Sequence, residues 1–394
     1  MIRSSMFRLF SLLVICVSTG LTSPAQQAIP ARVVDLKAPD SANLKATFFA
    51  AARPGPGVML LHQCNRQRKV WDDLARQLAA AGISVLTLDL RGFGESDGVP
   101  MDKATPQQAQ AQAQKWPGDI DVAFEYLTSR VKRDDIGVGG ASCGVNNSIQ
   151  TAIRHVKEVK SLVLLSGNTD IAGRKFLRQS QLPVLAAVAD DDEFPASIET
   201  TEWIFSLSST TGNKFLHYTK GGHGAEIFAV HPELRDAIVD WYTITLIKTP
   251  GHAPASKERW QAPAAVQMLT LIDQPGGAQQ AAAKLAQARK QDPKAVLFSE
   301  VTVNLMGYEH MQAGDVKGAI EILKLNAEAF PDSPNVYDSL GDVYLADGQK
   351  DLARENAKKA IEVLASDTTD PEARRNAIRD SAEQKLKQLG SGPQ

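Results

Sequence analysis

The stretch Gly140-Ala141-Ser142-Cys143-Gly144 sets two nucleophile-grade side chains next to each other between glycines. A tight turn from strand to helix admits only small residues beside its apex and holds the apex side chain clear at the strand's end. Centred on Ser142 the Gly-x-Ser-x-Gly pattern is complete, whereas centring on Cys143 would make Ala141 and Val145 the small neighbours. The spacing therefore favours Ser142. A serine hydroxyl is a poor nucleophile at neutral pH and needs a base. "KGGHG" offers His223 between Gly222 and Gly224, after the apolar run "FLHYT". His217 lies inside that run and reads as a packed or edge residue, and His231, before Pro232, reads as a capping or surface residue. An acid must orient the imidazole, and serine, acid, histidine is a chain order in which such triads occur. Asp190-Asp191-Asp192-Glu193 follows the run "PVLAAVAD". Asp192 is preferred, because Glu193, Phe194 and Pro195 then lead into a helix, and Asp191 is the alternative. Carboxylates that do not reach His223 read as an acidic helix start. Two backbone N–H groups should hold a developing oxyanion, one after the nucleophile and one from a neighbouring loop. The first is that of Cys143, and the second belongs to Cys64, or to Gln63 one residue earlier, in the loop after "VMLLH".

These residues need strands and helices to bring them together. From residue 31 to about 248, short apolar runs alternate with segments of helical period. The runs cover residues 58–62, 83–90, 136–142, 161–167, 183–190 and 215–219, and they read as strands apolar on both faces in a mostly parallel sheet. Helices fit residues 70–81, 121–131, 145–156, 195–206 and 232–247, which makes an α/β three-layer sandwich. A Gln/Ala-rich stretch, residues 97–119, interrupts the rhythm and reads as a mobile cap or a plain surface insertion. Arg66, Arg68 and Lys69 read as a solvated helix start, with contact to a substrate carboxylate as the alternative. No metal-ligand spacing and no phosphate-binding glycine loop is evident, so no cofactor is expected.

Residues 249–265, rich in Pro, Gly and Ala, mark a linker, and residues 266–390 form an all-helical domain with an internal period. Gly307, Gly314, Ala319 and Leu323 recur 34 residues later as Gly341, Gly348, Ala353 and Ala357, and Leu340 likewise follows Met306. A weaker copy, Gly276, Ala281, Leu285 and Pro293, is spaced like Gly314, Ala319, Leu323 and Pro331 and lies 38 residues before them. A charged helix from about residue 371 to 389 suits the end of a solenoid. Period, small residues at helix contacts and a turn glycine resemble the tetratricopeptide repeat.

At the other end, Arg3 and Arg8 precede an apolar run and then Ser23-Pro24-Ala25, which reads as a signal peptide over residues 1–25 with the α/β catalytic domain over 26–248. The apolar run is about half the length that spans a bilayer, and no later stretch is long enough, so stable membrane insertion is not expected. Ile15 before Cys16 is too large for a lipid-attachment signal. The chain has 394 residues, 43% hydrophobic and 22% charged, with a formal net charge of -2, which fits two folded units and leaves no basic surplus for nucleic acid.

Together "LLHQC", "LDLRGFGESDG", the Ser142 turn, "DDDEFPAS" and "KGGHG" resemble the α/β-hydrolase superfamily, most closely its dienelactone hydrolase-like branch. The resemblance covers about residues 32–248. It implies acyl transfer by Ser142, His223 and Asp192 on a small-molecule ester or related acyl substrate. Dienelactone hydrolases carry cysteine at the turn's centre, and Ser142 here points to general ester hydrolysis. Their usual glycine after the oxyanion histidine is Gln63 here. If Cys64 and Cys143 both donate to one oxygen, their amide nitrogens lie within about 6 Å of each other, a neighbourhood that suits a disulfide. That bond is expected in an exported, periplasmic or secreted protein. The same triad serves peptidases and thioesterases, and a binding scaffold with a vestigial hydrolase domain is a further reading. In either case the helical repeats offer a surface for a protein partner.

Overall fold

The structure is a computed structural model, and it describes residues 30–194, 196–256 and 260–390. The leader reading, its cut after Ala25 and Cys16 lie outside the described residues.

Eight strands form one sheet in the order β1-β2-β4-β3-β5-β6-β7-β8. They are β1 (Arg32–Lys37), β2 (Asn43–Phe49), β3 (Gly57–Leu61), β4 (Ser84–Leu88), β5 (Ile136–Ala141), β6 (Val159–Leu165), β7 (Val184–Ala189) and β8 (Lys214–Tyr218). From β4 to β8 every pairing is parallel, while β1 pairs with β2, and β2 with β4, antiparallel. All residues of β3, β4, β5 and β7 are buried, as expected of strands covered on both faces. The two antiparallel strands were not among the expected runs. Their burial largely alternates along the chain, and no more than two apolar residues stand together in either strand. Nor is "FLHYT" apolar on both faces: β8 closes the sheet and is partly exposed along its length.

Helices α1 (Asp72–Ala80), α2 (Pro106–Ala113), α3 (Trp116–Thr128), α4 (Cys143–Arg154), α5 (Ile171–Gln179), α6 (Ser197–Leu207), α7 (Ile227–Val230) and α8 (Glu233–Tyr242) accompany the sheet. The glycines before the turn make room on one face of β5: a Cβ on Gly137 would lie 2.5 Å from the Tyr242 ring, and one on Gly139 would lie 2.9 Å from its hydroxyl. The Gln/Ala-rich stretch is tied down. Its helix α2 starts with a capping box at Thr105 and Gln108. The buried Gln112 amide spans Val99, accepting from its N–H at 2.6 Å and donating to its carbonyl at 3.0 Å. Arg91 anchors α3 through Asp119 at 2.8 Å and through the Trp116 indole N–H, which donates to the Arg91 carbonyl.

Beyond the sheet the described chain is helical: α9 (Ala264–Ile272), α10 (Gly277–Arg289), α11 (Glu300–Gln312), α12 (Val316–Ala329), α13 (Pro334–Ala346), α14 (Lys350–Leu364) and α15 (Glu372–Leu389). The turns of the α11/α12 and α13/α14 hairpins hold Gly314 and Gly348 at φ +85° and +77°, a conformation open to glycine without penalty. Gly307 lets α12 close in, since a Cβ there would lie 2.5 Å from Leu323. These hairpins give the 34-residue period its structural form. In α15 the buried Lys385 ammonium meets Asp338 at 2.7 Å and Asp342 at 2.8 Å. Val266, Leu269, Met306 and Ile322 share one apolar cluster with β5, β6 and α6, so the helical region packs directly on the sheet domain. Among the described residues no helix is long and apolar enough to cross a membrane.

Candidate active site

Ser142 sits where β5 ends and α4 begins, at φ +53° and ψ −120°, a backbone region that L side chains occupy only under restraint. The restraint is visible in the glycines. A Cβ on Gly140 would lie 2.1 Å from the Gly144 carbonyl oxygen, and one on Gly144 would lie 2.3 Å from that of Leu61 and 2.9 Å from that of His62. Each contact is with backbone that cannot swing aside, so the pattern Gly-x-Ser-x-Gly is the one that fits. The Ser142 N–H donates to the Leu165 carbonyl at 2.9 Å, pinning the apex to β6. Cys143 already lies inside α4, whose N-terminal amides and dipole favour negative charge beside the turn.

After β8, His223 opens a short helical turn and is buried, 3% exposed. Its Nδ1 lies 2.9 and 2.8 Å from the two carboxylate oxygens of Asp192, whose side chain is fully buried. With Nδ1–H donating to the carboxylate, Nε2 carries the lone pair, and it is buried with no hydrogen-bond partner. Phe194 shields the imidazole, its ring centroid 4.5 Å from that of His223, and its N–H donates to Asp192 Oδ1 at 2.9 Å. The three consecutive aspartates reach three different partners. Asp190 pairs with His217 at 2.6 Å, Asp191 accepts from the Gly222 N–H at 2.8 Å, and Asp192 meets His223. His231 pairs with Glu233 and stacks on Tyr218, at the surface.

The loop after β3 holds both sides of this arrangement. Cys64 and Cys143 form a disulfide, with Cα atoms 5.9 Å apart, which ties the loop to the turn. His62 donates from Nδ1 to the Gln63 carbonyl at 2.8 Å and accepts at Nε2 from the Leu90 N–H at 3.0 Å. Burial pushes its pKa down, so the imidazole stays neutral as that pattern requires. Gln63 is the residue whose side-chain role the sequence did not reveal. Fully buried, its amide donates to the His223 carbonyl at 3.2 Å and accepts from the Ala225 N–H at 2.9 Å. Between them Gly224 stands at φ +61°, and a Cβ there would lie 3.1 Å from that of Ala141, so the His223 loop abuts the residue before Ser142. Neither reading of Arg68 holds: it is fully buried, ion-paired with the buried Asp89 and with Glu95, and its Nε donates to Thr47 at 3.0 Å. A guanidinium keeps its charge even when buried, and the carboxylates around it offset the cost of taking that charge out of water. Arg66 pairs with Glu226 of the His223 turn, and Lys69 lies 3.7 Å from Glu95 at the surface.

Residues 52–208 match the family model described as serine aminopeptidase, S33. The matched segment contains Cys64, Ser142 and Asp192 and ends before His223. An uncharacterized protein of Mycobacterium tuberculosis, found in strains CDC 1551 and H37Rv, is 27% identical over 179 residues, which cover 44% of this chain and 59% of the relative. The match thus spans 59% of the length of these curated relatives. Among solved structures, an esterase of Pyrococcus furiosus is 17% identical with a TM-score of 0.45, over 55% of this chain and 92% of that one. A dienelactone hydrolase of Anabaena variabilis is also 17% identical, with a TM-score of 0.42, over 54% of this chain and 97% of that one. The parallel sheet with its antiparallel edge and strand-turn-helix apex, taken with the family-model match, gives the amino-terminal part of this chain an α/β-hydrolase-like fold.

Proposed function

We propose that this protein is an exported serine hydrolase that cleaves carboxylic esters through Ser142, His223 and Asp192. The observation that carries the reading is the buried, unpartnered Nε2 of His223, backed by Asp192 on Nδ1, in a loop that abuts the strained Ser142 turn. In this mechanism His223 Nε2 takes the Ser142 hydroxyl proton while Oγ attacks the substrate carbonyl carbon. Asp192 keeps the imidazole oriented and stabilises the imidazolium. The backbone N–H groups of Cys143 and Cys64 hold the oxyanion, and one such donor is worth about 3 kcal/mol of barrier. Collapse expels the alcohol, protonated by His223, and water then releases the acyl group by the same steps in reverse.

A central serine rather than cysteine favours general esters over dienelactone. The disulfide supports an oxidising compartment, in keeping with the leader expected over residues 1–25. We infer that the helical repeats are tetratricopeptide-like and offer a surface for a protein partner. The description of the matching family favours a second reading, an aminopeptidase built on the same triad. Turnover of a panel of nitrophenyl esters, acyl thioesters and aminoacyl nitroanilides separates the two. Ester hydrolysis lost in Ser142→Ala is expected, and nitroanilide hydrolysis faster than ester hydrolysis would favour the peptidase.

A further inference from the structure

The helical region does more at its contact with the hydrolase domain than pack against it. Glu309, on α11, accepts from Asn168 Nδ2 at 2.6 Å and pairs with Arg174 at 2.5 Å. Asn168 and Arg174 belong to the hydrolase domain, on the segment running from the end of β6 into α5. Arg174, fully buried, also donates to the Thr169 carbonyl at 2.9 Å and meets Asp273 at 2.9 Å, with its guanidinium over the Trp203 ring.

The segment these contacts hold is the back of the Ser142 turn. Thr169 Oγ1 donates at 2.8 Å to Asn146 in the first turn of α4. Gly167 is pressed so closely that a Cβ on it would lie 2.7 Å from the Ser142 carbonyl oxygen and 2.6 Å from Val145. Just before it, Ser166 stands at φ +46°, a second non-glycine residue at positive φ beside the turn. Strained backbone persists only where the surroundings over-determine it. On one side those surroundings are the turn itself; on the other the Ala187 carbonyl takes the Ser166 N–H at 3.0 Å, Thr201 bonds both backbone groups of Gly167, and Glu309 holds Asn168, the next residue along. A buried ion pair adds little net stability but fixes geometry, which is what this loop requires.

We propose that Glu309 is a positioning residue for the nucleophile: it holds the loop over residues 166–169 against the turn, which makes the helical region a working part of the hydrolase site. This rests on Ser142 being the nucleophile. The test uses the full chain and the rate of covalent inactivation by a fluorophosphonate, with melting temperature measured in parallel. Leu269→Ala, a fully buried α9 position in the apolar contact with the hydrolase domain, serves as the control that loosens the interface without touching the loop. Glu309→Ala is expected to slow inactivation by about tenfold, and Glu309→Gln, which keeps an acceptor for Asn168, by less, while Leu269→Ala lowers the melting temperature and leaves the rate within about twofold of the parent. An inactivation rate in Glu309→Ala within twofold of the parent, or an equal slowing in Leu269→Ala, overturns the proposal. Where Glu309→Ala does not fold, Glu309→Gln decides: a rate more than about twofold below that of Leu269→Ala supports the assignment, and a rate no slower overturns it. Labelling that persists in Ser142→Ala refutes the choice of nucleophile instead, so the two failures are distinguishable.

Discussion

Replacing Gln63 with methionine keeps the side chain's length and volume but removes both ends of the clamp on the His223 loop. The amide serves two backbone groups, the His223 carbonyl at 3.2 Å and the Ala225 N–H at 2.9 Å, at a fully buried position. Leaving a buried donor or acceptor unpaired costs about 1–3 kcal/mol, the N–H being the worse case. For two such groups the total for Gln63→Met is therefore about 2–6 kcal/mol. That cost has two outlets. If the loop stays in place, unfolding in urea shows the whole loss. If the loop shifts to find other partners, His223 moves with it, and kcat falls about tenfold for each 1.4 kcal/mol expressed there. The sum of the stability loss and the loss in kcat should reach at least about 2 kcal/mol, with KM little changed. Gln63→Glu should be milder at Ala225, where an acceptor remains, and worse at the His223 carbonyl, which would face a carboxylate. Assays are urea unfolding and steady-state hydrolysis of a nitrophenyl ester. A Gln63→Met protein within about 0.5 kcal/mol of the parent in stability and within twofold in kcat would refute the clamp.

The Cys64–Cys143 bond closes a separation of 79 residues, so reduction should cost about 4.5 kcal/mol by the chain-entropy account. Two alkylatable thiols at these positions in the unreduced mature protein would contradict it. At the domain contact, burial pushes the His310 pKa down, but hydrogen bonds to Asp273 and Asp315 outweigh it, with Arg174 opposing, and hold the group above its ordinary 6.5. A raised folded-state value means that this contribution is complete below pH 6.5 and is lost as pH rises through that value. The melting temperature of the parent should therefore fall more steeply than that of His310→Gln between about pH 6 and pH 9, and parallel curves would contradict the pairing.

Much of the fold was legible because its strands announce themselves: "VMLLH" and "PVLAAVAD" can be buried on both faces in few other ways. The antiparallel edge was not, since "RVVDLK" and "NLKATFF" mix apolar and polar residues and give no continuous signal. At the candidate site, glycine spacing pointed to Ser142 because the turn forbids a Cβ at Gly140 and Gly144. Among three adjacent aspartates Asp192 was preferred, with Asp191 as the alternative, only from its place before the helix, since their distinct partners, His217, Gly222 and His223, come from β8 and the loop after it. Arg68 was misread for a related reason. Its burial depends on Asp89 and Glu95 reaching back from the next strand and loop, which local sequence does not display. Gln63 offered no signal beyond standing where a glycine is usual, and its task became visible only with the His223 loop in place.

Covalent labelling by a fluorophosphonate, followed by mapping of the modified residue, tests the central claim most directly. The account predicts an adduct on Ser142 that disappears in Ser142→Ala and persists in Cys143→Ala. Labelling that survives Ser142→Ala but is lost in Cys143→Ala would contradict it.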